Sequence, residues 1–249
     1  HTLMGMAAAL AGFFGVPLGG SLFALEVNSR FGIEYFEHTV EAICCGEVCL
    51  LVFRALAGLA IAPIWHITEI KLESAEPVTI LYGVLLGSIG AFTAWVFAML
   101  HFKVMGAFKA FDLLDNRRAV QRSLIGGVVV VTFGVLIPQT MFWGEFEFQT
   151  ISTLGPASGL AHIWPTSGSF GFEMNNFNSA MIVGLSKFVA ISFTVAGGYR
   201  GGFIFPLFAS GAALGRAIFF LCPFIPVQLC VLCMAAALNV AITRTTIAT

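Results

Sequence analysis

Apolar residues run along this sequence in stretches long enough to cross a lipid bilayer. Four stretches lack any acidic or basic side chain: Leu3–Leu25, Val78–Leu100, Ser123–Trp143 and Ala217–Thr243. A helix needs about 20 residues to cross the hydrocarbon core. Only 10% of the residues are charged and 58% are hydrophobic, whereas soluble domains carry about 25% charged residues. The pattern therefore predicts an all-α, multi-span membrane protein.

The first two apolar segments differ in how continuous they are. Gly15, Pro17 and Gly20 interrupt the first segment near its middle, so two short helices are expected there rather than one rod. The next segment, Phe36–Trp65, is predicted to be one long helix. It carries Glu47 and Arg54 on one face, and we expect these charges to pair with neighbouring helices.

Two loops separate the following spans. Ile67–Pro77 is polar and is predicted to lie outside the membrane. His101–Arg122 is rich in basic residues, namely Lys103, Lys109, Arg117, Arg118 and Arg122. Short basic loops stay cytoplasmic, so this loop predicts the orientation of the helices Val78–Leu100 and Ser123–Ile137.

The second half mixes short and long apolar segments. Pro138–Asn178 is aromatic and rich in turn residues, which predicts short or re-entrant helices packed on the bundle. Further helices are predicted at Met181–Ala196, Pro206–Leu221 and Val227–Ala241. The letters MAAAL occur at 6–10 and again at 234–238, each followed by a break. Such matched segments indicate an inverted-repeat architecture with broken helices.

The stretch AGGYRGGFIFPLF, residues 196–208, places glycines and a charge inside apolar sequence. Its glycines, which allow positive φ and close backbone approach, are Gly197, Gly198, Gly201 and Gly202. Pro206 suits the first turn of a new helix. We therefore expect a loop that opens a helix, with the N–H groups of Phe203, Ile204 and Phe205 pointing out of its start.

A helix start of this kind is suited to binding an anion. It carries about half a positive charge, and unwound backbone survives at membrane depth only where it lines a cavity or is buried in protein. Arg200 would either attract the anion or brace the loop through a carboxylate. The alternative interpretation of Gly197–Pro206 is a tight crossing of two helices at small residues.

At these residues the chain resembles the CLC family of chloride channels and proton/chloride exchangers. GGYRGGFIFP is similar to the family motif of the form G-x-F-x-P at the start of a broken helix, although Ile204 stands where the family usually has Phe. HTLMGMAAALAGFFGVPLGGSLFALEV, FWGEFEFQTI and MAAALNVAITRTTIAT resemble further family segments in the same order. Thr246 occupies a position at which the family commonly has Pro.

The resemblance implies a homodimer in the lipid bilayer, with one anion pathway in each subunit. The backbone amides of Phe203 and Ile204 would help to coordinate a chloride ion, and no cofactor is implied. Residues 1–249 are expected to form part of a transmembrane domain truncated at both ends. Residues 1–137 would end the first repeat and start the second, and residues 138–249 would hold the remainder. The gating Glu, a coordinating Ser and a coordinating Tyr of the family would then lie outside this chain.

The resemblance also bears on the mode of transport. Exchangers of the family typically carry two adjacent acids at the end of the LFxxE helix, the second of which relays protons. Here Glu26 is followed by Val27, which cannot carry a proton. We therefore expect a passive chloride channel, with a proton-coupled chloride antiporter as the alternative.

Other classes of protein fit the sequence less well. A secondary carrier of an organic anion would also use a glycine-broken helix. The histidines are scattered without ligand spacing, so an enzyme or a metal site is not expected. Packing or interfacial roles are expected for His38, His66, His101 and His162. The six cysteines lie in apolar segments and are expected to be buried free thiols. No basic face indicates nucleic acid, and the membrane that the protein occupies is not specified.

Overall fold

The computed structural model describes residues 1–29, 32–59, 65, 77–154 and 174–247. The predicted loop Ile67–Pro77 lies outside these residues except for Pro77, and so does the part of the Pro138–Asn178 region between residues 155 and 173. The chain divides into two compact units. The first consists of His1–His66 and Asn239–Thr249, and the second consists of Ile67–Leu238.

Every regular element among the described residues is helical. The α-helices are α1 (Thr2–Phe14), α2 (Pro17–Ser29), α3 (Ile33–Ala57), α4 (Pro77–Ala110), α5 (Ala119–Leu136), α6 (Glu145–Ser152), α7 (Phe177–Ala196), α8 (Ile204–Leu221) and α9 (Val227–Thr243). Short 3-10 helices occur at Asn116–Arg118 and Pro138–Thr140.

Four of the described helical segments are long and apolar enough to cross a membrane. They are Pro77–Ala110, Asn116–Leu136, Phe177–Ala196 and Ile204–Leu221. This confirms the prediction of an all-α, multi-span membrane protein. The inverted relation between the halves and their division at residue 137 stay predictions.

The first unit contains the predicted break between two short helices. α1 ends at Phe14 and is followed by Gly15, which is left-handed with φ 66°; α2 begins with Pro17. The backbones then approach closely, because a Cβ at Gly20 would lie 2.6 Å from the backbone nitrogen of Ala11. Gly46 of α3 is equally constrained, since its Cβ would meet the Ser21 hydroxyl at 2.2 Å. Small residues therefore hold these three helices together.

Helix α3 differs from its prediction at the C-terminal end. It ends at Ala57 rather than continuing towards Trp65, because Gly58 adopts a left-handed φ of 64° and its N–H bonds back to the last turn. Glu47 is exposed and forms no ion pair with any residue that the structure describes. The predicted structural pairing of Glu47 is therefore wrong within the described part of the chain.

The core of the second unit is built from α7, α8 and α9. The Ser210 hydroxyl of α8 donates to the Gly184 carbonyl of α7 at 2.8 Å. On the other side of α8, a Cβ at Gly211 would lie 2.6 Å from the Ala235 Cα, and one at Gly215 would lie 2.5 Å from the Cys230 carbonyl. Glycine at these positions lets α9 pack directly on α8.

Arg216 of α8 caps the short helix α6. The arginine is 5% exposed, and its Nη1 donates to the carbonyl oxygens of Ile151 and Thr153, each at 3.0 Å. These carbonyls lie at the end of α6, where a helix has no internal donors left. A buried charge on one helix thus completes the backbone hydrogen bonding of another.

Helix α4 is longer than predicted. It continues ten residues beyond Leu100, through the first half of the stretch His101–Arg122 that was predicted as a loop. Lys103 and Lys109 do not end it, because lysine is a good helix former and its long stem can lie along apolar surface. The turn between α4 and α5 is therefore confined to residues 111–118.

Candidate anion site at the start of helix α8

The predicted glycine loop connects α7 to α8. The Gly197 N–H donates to the Phe193 carbonyl at 2.8 Å, which closes the last turn of α7. Gly198 follows with a left-handed φ of 85°. The first internal hydrogen bond of α8 runs from the Leu207 N–H to the Phe203 carbonyl at 3.0 Å. Pro206 is the third residue of α8, in the first turn, as predicted.

Side chains at the start of α5 hold this loop in place. The Ser123 hydroxyl donates to the Gly197 carbonyl at 3.0 Å, and the Tyr199 hydroxyl donates to the Ser123 carbonyl at 2.8 Å. The Arg122 guanidinium lies so close to Gly198 that a Cβ there would meet its Nη2 at 1.9 Å. The left-handed φ favours glycine at position 198, and any side chain there would also displace the Arg122 guanidinium.

A cavity of about 220 Å³ lies beside the loop and the start of α8. Its walls include Gly201, Gly202, Phe203 and Pro206 of the motif, and Tyr199 and Lys187 face the same space. An unwound stretch that lines a cavity is the arrangement expected at membrane depth. The alternative of a tight helix crossing does not hold at Gly201 and Gly202, since nothing lies within 4 Å of a Cβ built at either residue.

Lys187 is the cationic side chain in the wall of this cavity. It is 4% exposed, and its ammonium donates to the carbonyl oxygens of Phe142 and of Thr140, the latter at 3.0 Å. The carboxylate of Glu147, itself 1% exposed, interacts electrostatically with Lys187. The hydrogen bonds of Lys187 hold the segment Thr140–Trp143 against α7, beside the glycine loop.

An aromatic contact ties the motif to α4. The rings of His101 and Phe203 stand perpendicular to each other with their centroids 6.3 Å apart. His101 also stacks on Phe97 at 6.0 Å, and Phe97 contacts Phe188 of α7 at 5.1 Å. His101 therefore packs against the motif, in agreement with its interpretation as a packing residue.

Arg200 stands apart from these contacts. It is exposed and forms no ion pair with any residue that the structure describes. Bracing of the loop by a described carboxylate is therefore not observed, whereas attraction of an anion stays a prediction. The assignment of Phe203 and Ile204 as anion-binding residues also stays a prediction.

In the first unit, Glu26 and Val27 have contrasting environments. Val27 is 44% exposed, whereas Glu26 is 2% exposed. One carboxylate oxygen of Glu26 accepts hydrogen bonds from the Ile247 N–H at 2.9 Å and from the Thr246 hydroxyl at 3.3 Å. A proline at position 246 would lack this hydroxyl, so the departure from the family pattern gives Glu26 an additional donor.

Sequence reasoning did not assign roles to three residues of the site. Lys187 carried a signal, because a single charge inside an apolar helix usually has a function or a partner. Tyr199 and Thr140 carried none, since their contacts depend on which helices become neighbours. The six cysteines are free thiols as predicted, but the prediction that they are buried holds only for Cys230. Cys44 is exposed and the other four are partly exposed.

The geometry defines a helix start of partial positive charge at the edge of a small cavity, in a bundle of membrane-length helices. Such a site stabilises a small anion through backbone donors without a full counter-charge. Weak binding of this kind is what permeation requires, because the ion must also leave.

Comparison with known proteins assigns the family. A family model described as voltage gated chloride channel matches residues 1–249, and the chain belongs to this family. An uncharacterized protein of Methanocaldococcus jannaschii is 26% identical over 214 residues, which are 86% of this chain and 47% of that protein. No solved structure matches the chain.

Two further relatives are named H(+)/Cl(-) exchange transporter ClcA. The protein of Cronobacter sakazakii is 24% identical over 235 residues, with 89% of this chain and 43% of the relative covered. The protein of Yersinia pestis bv. Antiqua (strain Angola) is 26% identical over 225 residues, with 87% and 41% covered. The chain spans less than half the length of these curated relatives.

Proposed function

We propose that the protein containing this chain moves chloride or a similar small anion across a membrane. The observation that carries the proposal is the start of α8, where Gly201, Gly202 and Phe203 line a cavity inside a family of chloride-transporting proteins. The backbone amides of Phe203 and Ile204 would contribute to the anion site, and Arg200 would raise the local anion concentration.

Two modes of transport have different support. The names of the relatives favour proton-coupled chloride exchange. Val27 favours passive conduction, because it cannot be protonated and its neighbour Glu26 already accepts two hydrogen bonds. The comparisons support exchange better, so a proton-coupled antiporter is the preferred proposal and requires a relay group other than Val27. A passive chloride channel is the second candidate.

Reconstitution of the complete protein separates these modes. Liposomes are loaded with chloride, and chloride efflux and proton uptake are recorded together. Proton uptake against its own gradient, at a fixed ratio to chloride, supports exchange. Chloride efflux without coupled proton movement supports the channel. Absence of anion flux from liposomes that contain folded protein would contradict both.

The Val27→Glu variant tests the contribution of this position. In an exchanger that uses another relay group, we expect the coupling ratio to stay unchanged. In a channel, Val27→Glu is expected to leave chloride flux uncoupled or to introduce measurable proton movement. Val40→Glu is the matched control, since Val40 is also exposed, at 71%, and the same charge is introduced.

The resemblance also leads us to propose that two copies assemble, with one anion pathway in each. Chemical cross-linking in native membranes, followed by molecular-mass measurement in detergent, tests this. A mass equal to one copy at working concentration would contradict the proposal.

A further inference from the structure

A second cavity in the second unit is separate from the candidate anion site in its lining and chemistry. It has a volume of about 560 Å³, within the range of small-molecule sites, about 300–1,000 Å³. It lies where α4 ends, and residues of α5 and α7 close it. Seven of its eight lining residues are apolar, and the eighth is Lys103.

The floor of this cavity is well packed. Val104 and Phe108 are 8% and 4% exposed and form a core cluster with Ala196. The rings of Phe108 and Phe193 meet edge to face, with centroids 5.9 Å apart. The cavity is therefore a depression in an ordered core rather than a gap between loosely packed helices.

The rim of the cavity is basic. Lys103 lines it directly. Arg118 lies beside the cavity, because its Nη1 donates to the carbonyl of Phe111 at 3.0 Å, and Phe111 is another lining residue. Phe111 itself is 70% exposed.

The surrounding turn adds to the positive charge. From Lys103 to Arg122 the chain has five basic and two acidic residues, a net charge of +3. A carboxylate oxygen of Asp115 is occupied, because it accepts from the Arg117 N–H at 3.2 Å. Neither Lys103 nor Arg118 forms an ion pair with a residue in the described part of the chain. Lys103 on the rim and Arg118 beside the cavity therefore offer two cations to an external anion.

An apolar depression with a basic rim fits one kind of molecule in a membrane. Short basic loops stay on the cytoplasmic side, whose leaflet carries the anionic lipids, and basic pockets between helices on that side bind phosphate headgroups. We propose that this cavity binds an anionic phospholipid, with one acyl chain against Phe108 and Phe193 and the phosphate held by Lys103 and Arg118.

Occupation of the cavity would act on the region that holds the glycine loop. Phe193 and Ile125 both line the cavity. The Phe193 carbonyl accepts the Gly197 N–H, and Ser123, two residues before Ile125, donates to the Gly197 carbonyl. A bound acyl chain therefore bridges the two helices that position the loop before α8.

Lipid binding to the complete protein tests the proposal without any measurement of ion transport. Purified protein in detergent is titrated with phosphatidylglycerol or with phosphatidylcholine of the same acyl chains, and bound lipid is counted by native mass spectrometry. We expect phosphatidylglycerol to bind at least about tenfold more tightly, since each basic residue near the headgroup contributes to anionic binding. Equal binding of the two lipids would overturn the proposal.

Variants locate the site. Lys103→Gln combined with Arg118→Gln is expected to weaken phosphatidylglycerol binding about thirtyfold. Lys109→Gln combined with Arg117→Gln removes the same charge from residues that neither line the cavity nor share Arg118's hydrogen bond to a residue that lines it. This control is expected to change phosphatidylglycerol binding less than about threefold. Both double variants should retain the wild-type melting temperature. If both then lose affinity for phosphatidylglycerol equally, the effect comes from net charge alone, which contradicts a defined site.

The acyl-chain half of the site has its own test. Ala107 lines the cavity, so Ala107→Trp fills it, whereas Ala110→Trp at the end of α4 does not. Loss of phosphatidylglycerol binding in the first variant alone is expected. Full competition by inorganic phosphate, or unchanged binding in Ala107→Trp, would rule out an acyl chain in the cavity. A cavity covered by another segment of the complete protein would bind no lipid in any variant, which also contradicts the proposal.

Discussion

The chain contains two helix breaks of similar composition and opposite surroundings. At the first, between α1 and α2, Gly20 lies directly on the backbone of α1. At the second, between α7 and α8, Gly201 and Gly202 face open space and line a cavity. A break rich in glycine and proline therefore serves helix packing in one place and forms a candidate ligand site in the other. The space around the glycines, rather than their number, distinguishes the two.

The largest expected effect concerns the wall of the cavity beside the break between α7 and α8. Lys187→Met would leave the carbonyls of Thr140 and Phe142 without their donor and would remove a positive charge that interacts with the buried Glu147. Breaking a buried charged network costs about 3–5 kcal/mol. We expect the melting temperature of the complete protein in detergent to fall by about 10 °C.

Lys187→Arg is the control for this variant, because it keeps the charge and the donors. It should retain most of the stability and chloride flux that Lys187→Met loses. A Lys187→Met protein as stable as the wild type would show that the cavity wall does not depend on this lysine.

The close packing at the break between α1 and α2 is tested by Gly20→Ala. The added Cβ would lie 2.6 Å from the Ala11 backbone nitrogen, and such overpacking costs about 1–3 kcal/mol. Gly5→Ala is the matched change in α1, where nothing lies within 4 Å of the new Cβ; it should stabilise the helix by up to about 1 kcal/mol. Thermal unfolding of both variants should therefore shift in opposite directions. Shifts of the same sign and size would contradict close packing at Gly20.

The smallest effects are expected within the glycine loop itself. Gly198→Ala forces a Cβ into a left-handed residue beside Arg122, at about 1–2 kcal/mol. The Cβ added by Gly201→Ala has no neighbouring atom within 4 Å. The free energy of unfolding of this variant should therefore stay within about 0.5 kcal/mol of the wild type. If the cavity holds the transported anion, Gly201→Ala should still lower chloride flux, because the methyl group occupies space beside the ion. Unchanged flux in a folded Gly201→Ala protein would place the anion elsewhere.

The sequence indicated the positions of both breaks, because glycine and proline act locally on the backbone. It also indicated that α8 begins at the motif, since Pro206 and the preceding glycines mark a helix start. It did not indicate that Gly201 and Gly202 face open space while Gly198 is closed in by Arg122. That distinction depends on α5 packing beside the loop, which no local pattern encodes.

Packing between distant segments, which no local pattern encodes, also explains where the sequence predictions were wrong. The end of α4 was placed ten residues too early because lysines were interpreted as the start of a loop, although they continue the helix with their charges at its surface. The pairing of Glu47 was expected from its apolar surroundings in sequence, but its side of α3 is exposed. The bonds from Lys187 to Thr140 and Phe142 join residues more than forty positions apart, so their sequence spacing gave no indication of contact.

The arginine that caps α6 has a consequence for the order of events during synthesis. α6 has eight residues, too few for a stable isolated helix. Its final carbonyls find their donor in Arg216, which follows Ile151 by 65 residues. At translation rates of about 5–20 residues per second, this segment waits roughly 3–13 s for its partner. The final carbonyls of α6 therefore lack the Arg216 donor until α8 has been synthesised.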